Sequence, residues 1–269
     1  MWRTIWSLQS STIYKHVSES VSLTQASRIF ARRTSSKAAS SSRYLARQKR
    51  DPFVKARNTS GNDNGTQYVS RSAFKLEQLN KAYHFLGKGK IVVDLGASPG
   101  GWTQVALRSG CEHVFALDLL PLHTSVQQQA SRTNARLTAL QGDFRSSDIQ
   151  SKLEEIIGKG VEGKVDVIMS DMMANTSGNP IRDSVASLDL IHSAFSFAKL
   201  MLKRSDTKTS ENESSILIMK YFDGPDAQEF KKHFLQPNFS RIVNKKVAAS
   251  RSESSEMYFI CSGLKNDVL

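Results

Sequence analysis

Short apolar runs alternate with longer segments of helical periodicity through most of the chain. The first run is the β-branched Ile91–Leu95, and further runs that predict strands lie at 114–117, 137–140, 165–169, 216–219 and 257–260. The longest helical pattern covers 186–202, and another helix is predicted to begin near Trp102. This alternation predicts an α/β domain whose mostly parallel sheet carries helices on both faces. The run 257–260 follows a strand-like segment at 243–248 and is predicted to close one edge of the sheet.

Three polar segments precede or interrupt this pattern. The first 40 residues are rich in Ser and Arg, and their few apolar residues do not form the compact run of a secretory signal. Their composition predicts a mitochondrial transit peptide over 1–40, a matrix location and a domain at 41–269. A disordered basic arm that binds RNA is the alternative. The segment 58–67 is predicted to be a loop, and 205–214 a solvated insertion.

Net charge says little about the partner of this chain. The formal charge is +12, but residues 1–50 hold ten bases against one acid, and the remaining 27 bases face 24 acids. Local basic clusters therefore matter more than the total. Cys111 and Cys261 lie far apart without metal-ligand spacing, so neither a disulfide nor a zinc site is predicted. No apolar stretch approaches the ~20 residues of a membrane-spanning helix.

A glycine-rich turn follows the first strand, with the sequence Asp94-Leu95-Gly96-Ala97-Ser98-Pro99-Gly100-Gly101-Trp102. Ligands of open parallel sheets bind beyond the carboxyl ends of the strands, where glycines let the backbone approach closely. The spacing is G-x-x-x-G-G and not the G-x-G-x-x-G of dinucleotide sites. A nucleoside with an amino-acid moiety therefore fits at least as well as a pyrophosphate. A tight turn without a ligand and a nicotinamide-dependent oxidoreductase remain alternatives.

Acidic residues end the next two predicted strands. Asp118 follows 114–117, where a carboxylate can accept both ribose hydroxyls of an adenosine. Because several adenosine cofactors use such an acid, Asp118 indicates a nucleoside without choosing among them. Asp143 follows 137–140, where it could contact the adenine edge, although a helix N-cap or a turn acid is the simpler role for it.

Five motifs occur in a specific order along the chain. They are Arg71-Ser72-Ala73-Phe74-Lys75-Leu76, the glycine-rich run, Asp118-Leu119-Leu120-Pro121, Gln141-Gly142-Asp143-Phe144-Arg145 and Ser170-Asp171-Met172-Met173-Ala174-Asn175-Thr176-Ser177-Gly178. Together they resemble the FtsJ/RrmJ ribosomal RNA methyltransferases over residues 41–263. The resemblance implies a Rossmann-like methyltransferase fold with an antiparallel edge strand, and S-adenosylmethionine as the cofactor. With its leader, the chain resembles the mitochondrial branch, which methylates the 2′-oxygen of a uridine in large-subunit ribosomal RNA.

The resemblance also assigns site residues by motif. It implies catalytic roles for Lys75, Asp171, Lys220 and Glu256. It implies, together with the glycine-rich turn, cofactor contacts at Gly96, Gly100, Gly101, Trp102, Asp118, Asp143, Phe144 and Asp171. No metal is implied. The chain departs from the family at Ala174, where proline is usual, so the backbone of this substrate-side loop is less constrained.

The reaction explains why these residue types are needed. A ribose 2′-hydroxyl is a poor nucleophile, so transfer from a sulfonium depends on in-line positioning and on handling the hydroxyl proton. A lysine can act as the base only if its pKa falls from about 10.4 towards neutrality, which burial and a nearby cation favour. Our hypothesis is that Lys220 accepts or orients the proton and Asp171 orients Lys220. Lys75 and Glu256 would then position the ribose and hold the lysines.

Basic clusters predict where RNA binds. The predicted contacts are Arg43, Arg47, Arg50 and Lys55 before the domain core, and Arg71, Lys245, Lys246 and Arg251 near the catalytic mouth. Such groups bind phosphates, although a solvated charged face is the alternative. The predicted partner is mitochondrial large-subunit ribosomal RNA within an assembling subunit. An RNA-binding assembly factor for which methylation is dispensable is the second functional hypothesis, and the intact Lys, Asp, Lys and Glu set favours catalysis over it.

Overall fold

The computed structural model describes residues 67–161, 165–174, 180–205, 215–250 and 254–266. Several sequence predictions lie outside these residues and stay predictions. They are the leader 1–40, the domain start at 41, nearly all of the polar segments 58–67 and 205–214, and the basic residues Arg43, Arg47, Arg50, Lys55 and Arg251. Within the described residues, no helix combines the length and the apolar character needed to cross a membrane.

A seven-stranded sheet forms the core of the described structure, in the order β3-β2-β1-β4-β5-β7-β6. Its strands are β1 Ile91–Leu95, β2 His113–Asp118, β3 Arg136–Gln141, β4 Val167–Ser170, β5 Ile216–Phe222, β6 Phe239–Lys245 and β7 Glu256–Leu264. The pairs from β3 to β5 are parallel, whereas β7 is antiparallel to both of its neighbours. The predicted α/β class with a mostly parallel sheet and an antiparallel edge region is therefore confirmed.

Helices cover both faces of this sheet. They are α1 Ser72–Tyr83, α2 Gly101–Arg108, α3 Thr124–Ala130, α4 Ser147–Val161, α5 Pro180–Met201, α6 Pro225–Phe230, a π-helical turn Lys231–Leu235 and the short α7 Gln236–Asn238. One core cluster joins α1 and α2 to the sheet, and a second joins α4 and α5 to its other face. Neighbouring residues of β1 supply both clusters, since Val92 lies in one and Val93 in the other.

Burial on both faces explains why continuous apolar runs revealed the inner strands. A strand that is covered on both sides carries uninterrupted apolar residues, whereas a strand with one wet face alternates. All residues of β4 and the last four of β1 are buried. The run predicted at 165–169 starts two residues later as a strand, because Val165 forms only an isolated bridge to Leu202.

The C-terminal strands refine the sequence prediction. β6 occupies Phe239–Lys245 rather than 243–248, because 248–250 form a turn and the exposed Ser240 and Arg241 interrupt the apolar pattern at its start. The predicted last strand is present as β7, but it lies between β5 and β6. The prediction that this run closes one edge of the sheet is therefore wrong, because β6 pairs with the outer side of β7 and is itself outermost. The residues 258–261 of β7 are fully buried, so pairing on both sides protects its backbone groups.

The reversed direction of β7 brings its first residue to the site. Glu256 pairs in register with Phe222, the last residue of β5, and Tyr258 pairs with Lys220. The start of β7 therefore lies at the same edge of the sheet as the carboxyl ends of β1, β2, β4 and β5. This edge is where ligands bind in open α/β sheets.

The opposite edge of the sheet is held by a buried carboxylate. Asp166 immediately precedes β4 and accepts the backbone N–H of Ile91 at 2.9 Å and Lys203 Nζ at 2.8 Å. The contacts tie the start of β4 to the start of β1. Strand β4 is thus flanked by two aspartates, Asp166 at this structural edge and Asp171 at the ligand edge.

We expect the free energy of unfolding to fall as the pH is lowered from 7 to 4, with part of the loss due to His113. Burial, aided by the charge of Arg136, lowers the pKa of His113 from 6.5 to about 4. The folded state therefore binds fewer protons than the unfolded state between these values, and protonation favours unfolding by about 2 kcal/mol. Urea unfolding at pH 7.5 and 4.5 measures the change.

The matched variant for this test is His113→Gln, whose amide can keep the contact that the ring Nε2 makes with Thr138 Oγ1 at 2.9 Å. The variant cannot gain a proton in this range, so its stability should depend less on pH than that of the wild type. Identical pH dependence of the two proteins would show that His113 contributes nothing.

Candidate active site

The turn after β1 contains glycines whose backbone conformations other residues avoid. Gly96 has a φ of +79° and Gly100 a φ of +114°. The N–H groups of Gly96 and Ala97 donate to the carbonyl of Leu117 at 2.9 and 3.1 Å, so the turn folds over the end of β2. A Cβ on Gly96 would lie 2.7 Å from Met172 Cγ and 3.0 Å from its backbone nitrogen. The turn therefore packs directly against the residue that follows Asp171.

The start of α2 is fixed to the start of α1. Trp102 is only 2% exposed, and its Nε1 donates to the carbonyl of Ser72 at 2.9 Å. Gly101 approaches Ser70 so closely that a Cβ would lie 2.1 Å from Ser70 Oγ. These contacts tie the helix that carries Lys75 to the glycine turn. The predicted cofactor contact of Trp102 stays a prediction, because protein atoms enclose most of its ring.

Asp118 stands at the end of β2, as the sequence predicts, and its carboxylate already organises the local backbone. Oδ2 accepts the N–H of Ser98 at 2.9 Å, and Oδ1 accepts the N–H of Leu120 at 2.9 Å. Each carboxylate oxygen has a second lone pair. The side chain can therefore hold the glycine turn and still accept hydroxyl donors from a ligand.

Asp94 is a buried acid at this edge that the sequence prediction left without a role. Its Oδ2 accepts Thr103 Oγ1 at 2.6 Å, and among the described residues Oδ1 has no hydrogen-bond donor. Burial, together with the charges of Asp171 and Asp118, raises its pKa to about 7, against the opposing effect of the Thr103 hydrogen bond. Asp94 is thus only partly ionised at neutral pH, unlike an exposed aspartate.

Asp143 and Phe144, two of the predicted cofactor contacts, have different surroundings. Asp143 is half-exposed, and Arg145 binds both of its oxygens, with Nε 3.1 Å from Oδ1 and Nη2 2.7 Å from Oδ2. These hydrogen bonds from Arg145 lower the pKa of Asp143, so it is an ionised acceptor. Phe144 is buried and packs edge-to-face with Phe197 in the core. Only the small exposed part of the Phe144 ring can therefore make the predicted contact with the cofactor.

The first predicted catalytic pair is formed by residues from two neighbouring strands. Lys220, in β5, is 8% exposed and donates to the backbone carbonyl of Asp171 at 2.6 Å. Its Nζ also lies 3.2 Å from Asp171 Oδ1. One hydrogen bond and one ion-pair contact thus bind this nitrogen to Asp171, and since an ammonium carries three N–H donors it can still bind a ligand.

The second pair joins α1 to β7. Lys75 Nζ lies 2.6 Å from Oε1 and 2.8 Å from Oε2 of Glu256, and both side chains are largely buried. Ser250 Oγ donates to the same Oε1 at 2.7 Å. Burial alone would raise the pKa of Glu256, but the Lys75 ammonium and the Ser250 hydroxyl hold it below the usual value. Glu256 is therefore ionised, and it neutralises Lys75.

Tyr258 connects the two pairs. Its hydroxyl oxygen lies 3.1 Å from Asp171 Oδ1 and 3.1 Å from Glu256 Oε1, and its ring packs 5.8 Å from that of Trp102. Burial, with the two carboxylates, raises the pKa of Tyr258 well above 10, so the hydroxyl keeps its proton. One chain of polar contacts thus runs from Lys75 through Glu256, Tyr258 and Asp171 to Lys220.

The sequence prediction missed Tyr258. A signal was present, because residues two positions apart in a strand share one face, and Tyr258 follows Glu256 at that spacing. An apolar run that includes a tyrosine is nevertheless more often core. Only the positions of Asp171 and Glu256 in the structure show that this hydroxyl contacts both carboxylates.

We expect Tyr258→Phe to lower the rate of the reaction at this site about tenfold, since a lost hydrogen bond to a charged group costs about 1.5 kcal/mol. The ring would keep its packing against Trp102, so the fold should survive. The measurement is kcat at saturating substrate, with thermal unfolding measured alongside.

Tyr221→Phe is the matched control. Tyr221 is equally buried and its hydroxyl accepts from Asn244 Nδ2 at 2.6 Å, but it contacts neither catalytic carboxylate. It should lose stability and keep kcat. Equal kcat values for the two variants would remove Tyr258 from the site.

The structure places three of the predicted RNA contacts. Lys245 and Lys246 are exposed at the carboxyl end of β6, at the ligand edge. Arg71 is partly buried and its guanidinium donates to the carbonyl of Ala249, which anchors the segment after β6 to α1. No group of three or more His, Cys, Asp and Glu side chains with metal-binding geometry occurs among the described residues.

A comparison with family models matches residues 68–264 to the FtsJ-like methyltransferases. The chain belongs to this family. The FtsJ-like match includes every strand of the sheet, the glycine turn and all four predicted catalytic residues, so the resemblance at the level of the family is confirmed. Membership favours methyl transfer over the oxidoreductase alternative.

Relatives of this FtsJ-like chain carry a more specific description. Ribosomal RNA large subunit methyltransferase E of Acidiphilium cryptum is 36% identical over 228 residues, which cover 85% of this chain and 88% of the relative. The enzyme of the same name from Gluconobacter oxydans is 34% identical, with coverage of 84% and 74%. A crystal structure of a ribosomal RNA methyltransferase from Plasmodium falciparum matches with a TM-score of 0.58 and 24% identity, covering 73% of this chain and 98% of that one. This last similarity supports the fold.

Proposed function

We propose that this protein transfers a methyl group from S-adenosylmethionine to the ribose 2′-oxygen of a uridine in mitochondrial large-subunit ribosomal RNA. The observation that carries the proposal is the chain of contacts at the ligand edge, in which Lys75–Glu256 and Lys220–Asp171 are joined by Tyr258. The descriptions of the relatives as ribosomal RNA methyltransferases support the substrate class.

The residues at the ligand edge fit an adenosine cofactor. Asp118 and Asp143 are acceptors at the ends of adjacent strands, suited to ribose hydroxyls and to the adenine amino group respectively. Three of the six large apolar side chains that are exposed among the described residues lie at this edge: Leu119 (56%), Leu120 (64%) and Met173 (59%). Apolar side chains beside acceptors are what a nucleoside site requires. When bound, S-adenosylmethionine would supply a methyl group on a positively charged sulfur.

The polar chain suits proton handling at a hydroxyl. A ribose 2′-hydroxyl would lie beside Lys220 Nζ, which as the unprotonated amine would accept its proton and as the ammonium would orient it. The oxygen would gain the methyl group as the bond between this carbon and the sulfur of the cofactor breaks, which leaves a neutral thioether. Asp171 keeps Lys220 in place through two acceptors. Lys75 supplies a second cation near the reacting oxygen, where Glu256 fixes its position. Fixed charges in a water-poor site stabilise charge that develops during the reaction.

The register of three strands supports RNA contact beside the polar chain. Lys220, Tyr258 and Lys245 are opposite one another on β5, β7 and β6, so they share one face of the sheet. The Cα atoms of Lys220 and Lys245 are thus separated by two strand spacings, about 10 Å. A cation at this distance can bind a phosphate close to the methylated nucleotide.

The test uses the full chain with S-adenosylmethionine that carries a labelled methyl group. Mitochondrial large-subunit RNA and precursor subunits are the two substrates, and digestion to nucleosides identifies the labelled product. We expect label in 2′-O-methyluridine. Label on a base, or no label on either substrate from protein that binds the cofactor and the RNA, would contradict the proposal, and the second result would favour the assembly-factor function.

The mitochondrial part of the proposal rests on residues 1–40. Their few acids and frequent Ser and Arg residues are typical of a transit peptide. A fluorescent protein fused behind these residues should enter the mitochondrial matrix, whereas the domain 41–269 expressed alone should not. A fusion that stays outside mitochondria would contradict the location, and import of the domain 41–269 alone would contradict the targeting role of residues 1–40.

A further inference from the structure

One face of α1 holds the segment that connects β6 to β7. Lys75 and Gln78 lie three residues apart in α1, and Arg71, which caps its start with helical backbone angles, lies four residues before Lys75. The three side chains therefore lie on the same side. Arg71 donates to the carbonyl of Ala249, and Gln78 Oε1 accepts the N–H of Ala249 at 3.1 Å. Both polar backbone groups of a fully buried residue are thereby bound to the helix that carries Lys75.

The next residue continues this connection to the catalytic pair. Ser250, which is buried, donates through Oγ to Glu256 Oε1 at 2.7 Å. Glu256 in turn binds Lys75 through both carboxylate oxygens. The contacts close a ring that runs from α1 through Ala249, Ser250 and Glu256 to Lys75 and back to α1. The hydrogen bonds of Gln78 and Ser250 in the described structure go to Ala249 and Glu256, so these two residues are the route by which they can position Lys75.

A ring of this kind can fix a side chain that is otherwise variable. Lysine has four rotatable side-chain bonds and carries about 2 kcal/mol of rotamer entropy. Glu256 at the first position of a strand can also rotate, unless its carboxylate is bound from a second direction. Ser250 supplies such a direction in addition to the Tyr258 hydroxyl, and it makes the shorter contact, 2.7 Å against 3.1 Å. Gln78 keeps Ser250 in place by binding the residue before it.

The same segment begins at the predicted RNA contacts. Lys245 and Lys246 precede Ala249 by only a few residues and are exposed. The segment 245–250 therefore connects a cationic surface at one end with the carboxylate that holds Lys75 at the other. Its attachment to α1 fixes the distance between the two.

We propose that Gln78 and Ser250 are positioning residues, which set the Lys75 ammonium against the reacting ribose by holding the segment 246–250 and Glu256. The inference rests on the proposed methyl transfer. It assigns to both residues an effect on the rate of transfer, and none on the binding of RNA or cofactor, because in either variant Arg71 still binds the Ala249 carbonyl and keeps Lys245 and Lys246 attached to α1.

The experiment compares disruptive and conservative variants of the full chain. Gln78→Leu removes the acceptor for Ala249, and Gln78→Glu retains it. Ser250→Ala removes the donor to Glu256, and Ser250→Thr retains it. We expect kcat to fall about 10- to 100-fold in the two disruptive variants, since small displacements of catalytic groups have effects of this size. We expect unchanged KM for RNA, unchanged cofactor affinity and substantial recovery of kcat in the conservative variants.

A second readout does not depend on methyl transfer. The rate at which an amine-reactive reagent modifies Lys75 is measured by peptide mass spectrometry, relative to the exposed Lys88 in the same sample. Release of the ion pair with Glu256 should raise the relative rate in Gln78→Leu and Ser250→Ala. Thermal unfolding identifies the variants that are folded at the assay temperature. If the disruptive variant at one of the two positions is unfolded, the variants at the other position are enough to test the proposal.

The outcomes separate the two proposals. A wild-type protein that transfers no methyl group contradicts the proposed function, while the reactivity of Lys75 still tests the positioning. Unchanged reactivity of Lys75 in a folded disruptive variant overturns the positioning role. If the wild type is active, two further results overturn the positioning role. One is a disruptive variant with raised Lys75 reactivity but unchanged kcat, and the other is an equal loss of kcat in the disruptive and conservative variants.

Discussion

Methyl transfer should fall about 10²- to 10⁴-fold when Lys220 is replaced by methionine, which is the range that a lost proton-transfer group costs. Methionine is similar in length and can occupy a buried position, so the change removes the amine and little else. It leaves Asp171 without its cation, but Tyr258 still donates to that carboxylate. The measurement is single-turnover transfer to RNA at saturating cofactor, with RNA affinity measured separately. We expect RNA affinity to stay close to that of the wild type.

Lys203→Met is the matched control for this prediction. Lys203 binds Asp166, which precedes β4, as Lys220 binds Asp171, which follows β4. Both variants thus break one lysine–aspartate pair at an end of the same strand. Lys203→Met should reduce stability and retain transfer. Transfer by Lys220→Met at a rate similar to that of Lys203→Met would contradict the catalytic role of Lys220.

Gly96→Ala should reduce both the stability of the protein and its affinity for the cofactor. A non-glycine residue in this left-handed conformation costs about 1–2 kcal/mol, and the new Cβ would also lie 2.7 Å from Met172 Cγ and 3.0 Å from its backbone. Relief of the contact requires movement of the glycine turn or of the residue after Asp171. We expect a total loss of about 2–4 kcal/mol in the free energy of unfolding, and a cofactor dissociation constant raised by more than tenfold.

Gly110→Ala separates conformational strain from steric overlap. Gly110 has a φ of +77°, almost that of Gly96, but a Cβ there would meet no atom within 4 Å. The Gly110→Ala variant should therefore lose only the free energy of unfolding that an alanine in the left-handed conformation costs. It should bind the cofactor as the wild type does. If urea unfolding gives equal losses for the two variants, the packing of Gly96 against Met172 contributes nothing.

The sequence was sufficient to predict the location of the ligand edge. Apolar runs marked the strands because most inner strands are buried on both faces. In a parallel sheet the residues after these runs must gather at one edge, which brings the glycine turn, Asp118 and Asp171 together without knowledge of any contact. The identities of Lys75, Lys220 and Glu256 as catalytic residues required the family motifs, because a single lysine or glutamate in a sequence has no distinguishing pattern.

The pairing of the charged groups could not be predicted in this way. Lys75 and Glu256 are separated by 181 positions, and their contact depends on how α1 packs against the start of β7. For the same reason the sequence did not show that Tyr258 connects the pairs or that Arg71 binds a backbone carbonyl. A local sequence pattern indicates which face of a helix or strand a residue occupies. It does not indicate which residue of another element packs against that face.

The position of β7 has a consequence for how the protein is made. Translation produces β7 last among the strands, yet this strand separates β5 from β6 and supplies Glu256 and Tyr258. Among the described residues its partner β6 has no other neighbour in the sheet, so it must wait unpaired until β7 leaves the ribosome. The nascent chain can thus assemble the parallel part of the sheet early, but it acquires its complete polar chain only when β7 is available. Proteins that terminate early, before β7, would lack an inner strand together with Glu256 and Tyr258, two of the five residues of the polar chain. Quality control would therefore encounter them as unfolded chains rather than as stable inactive enzymes.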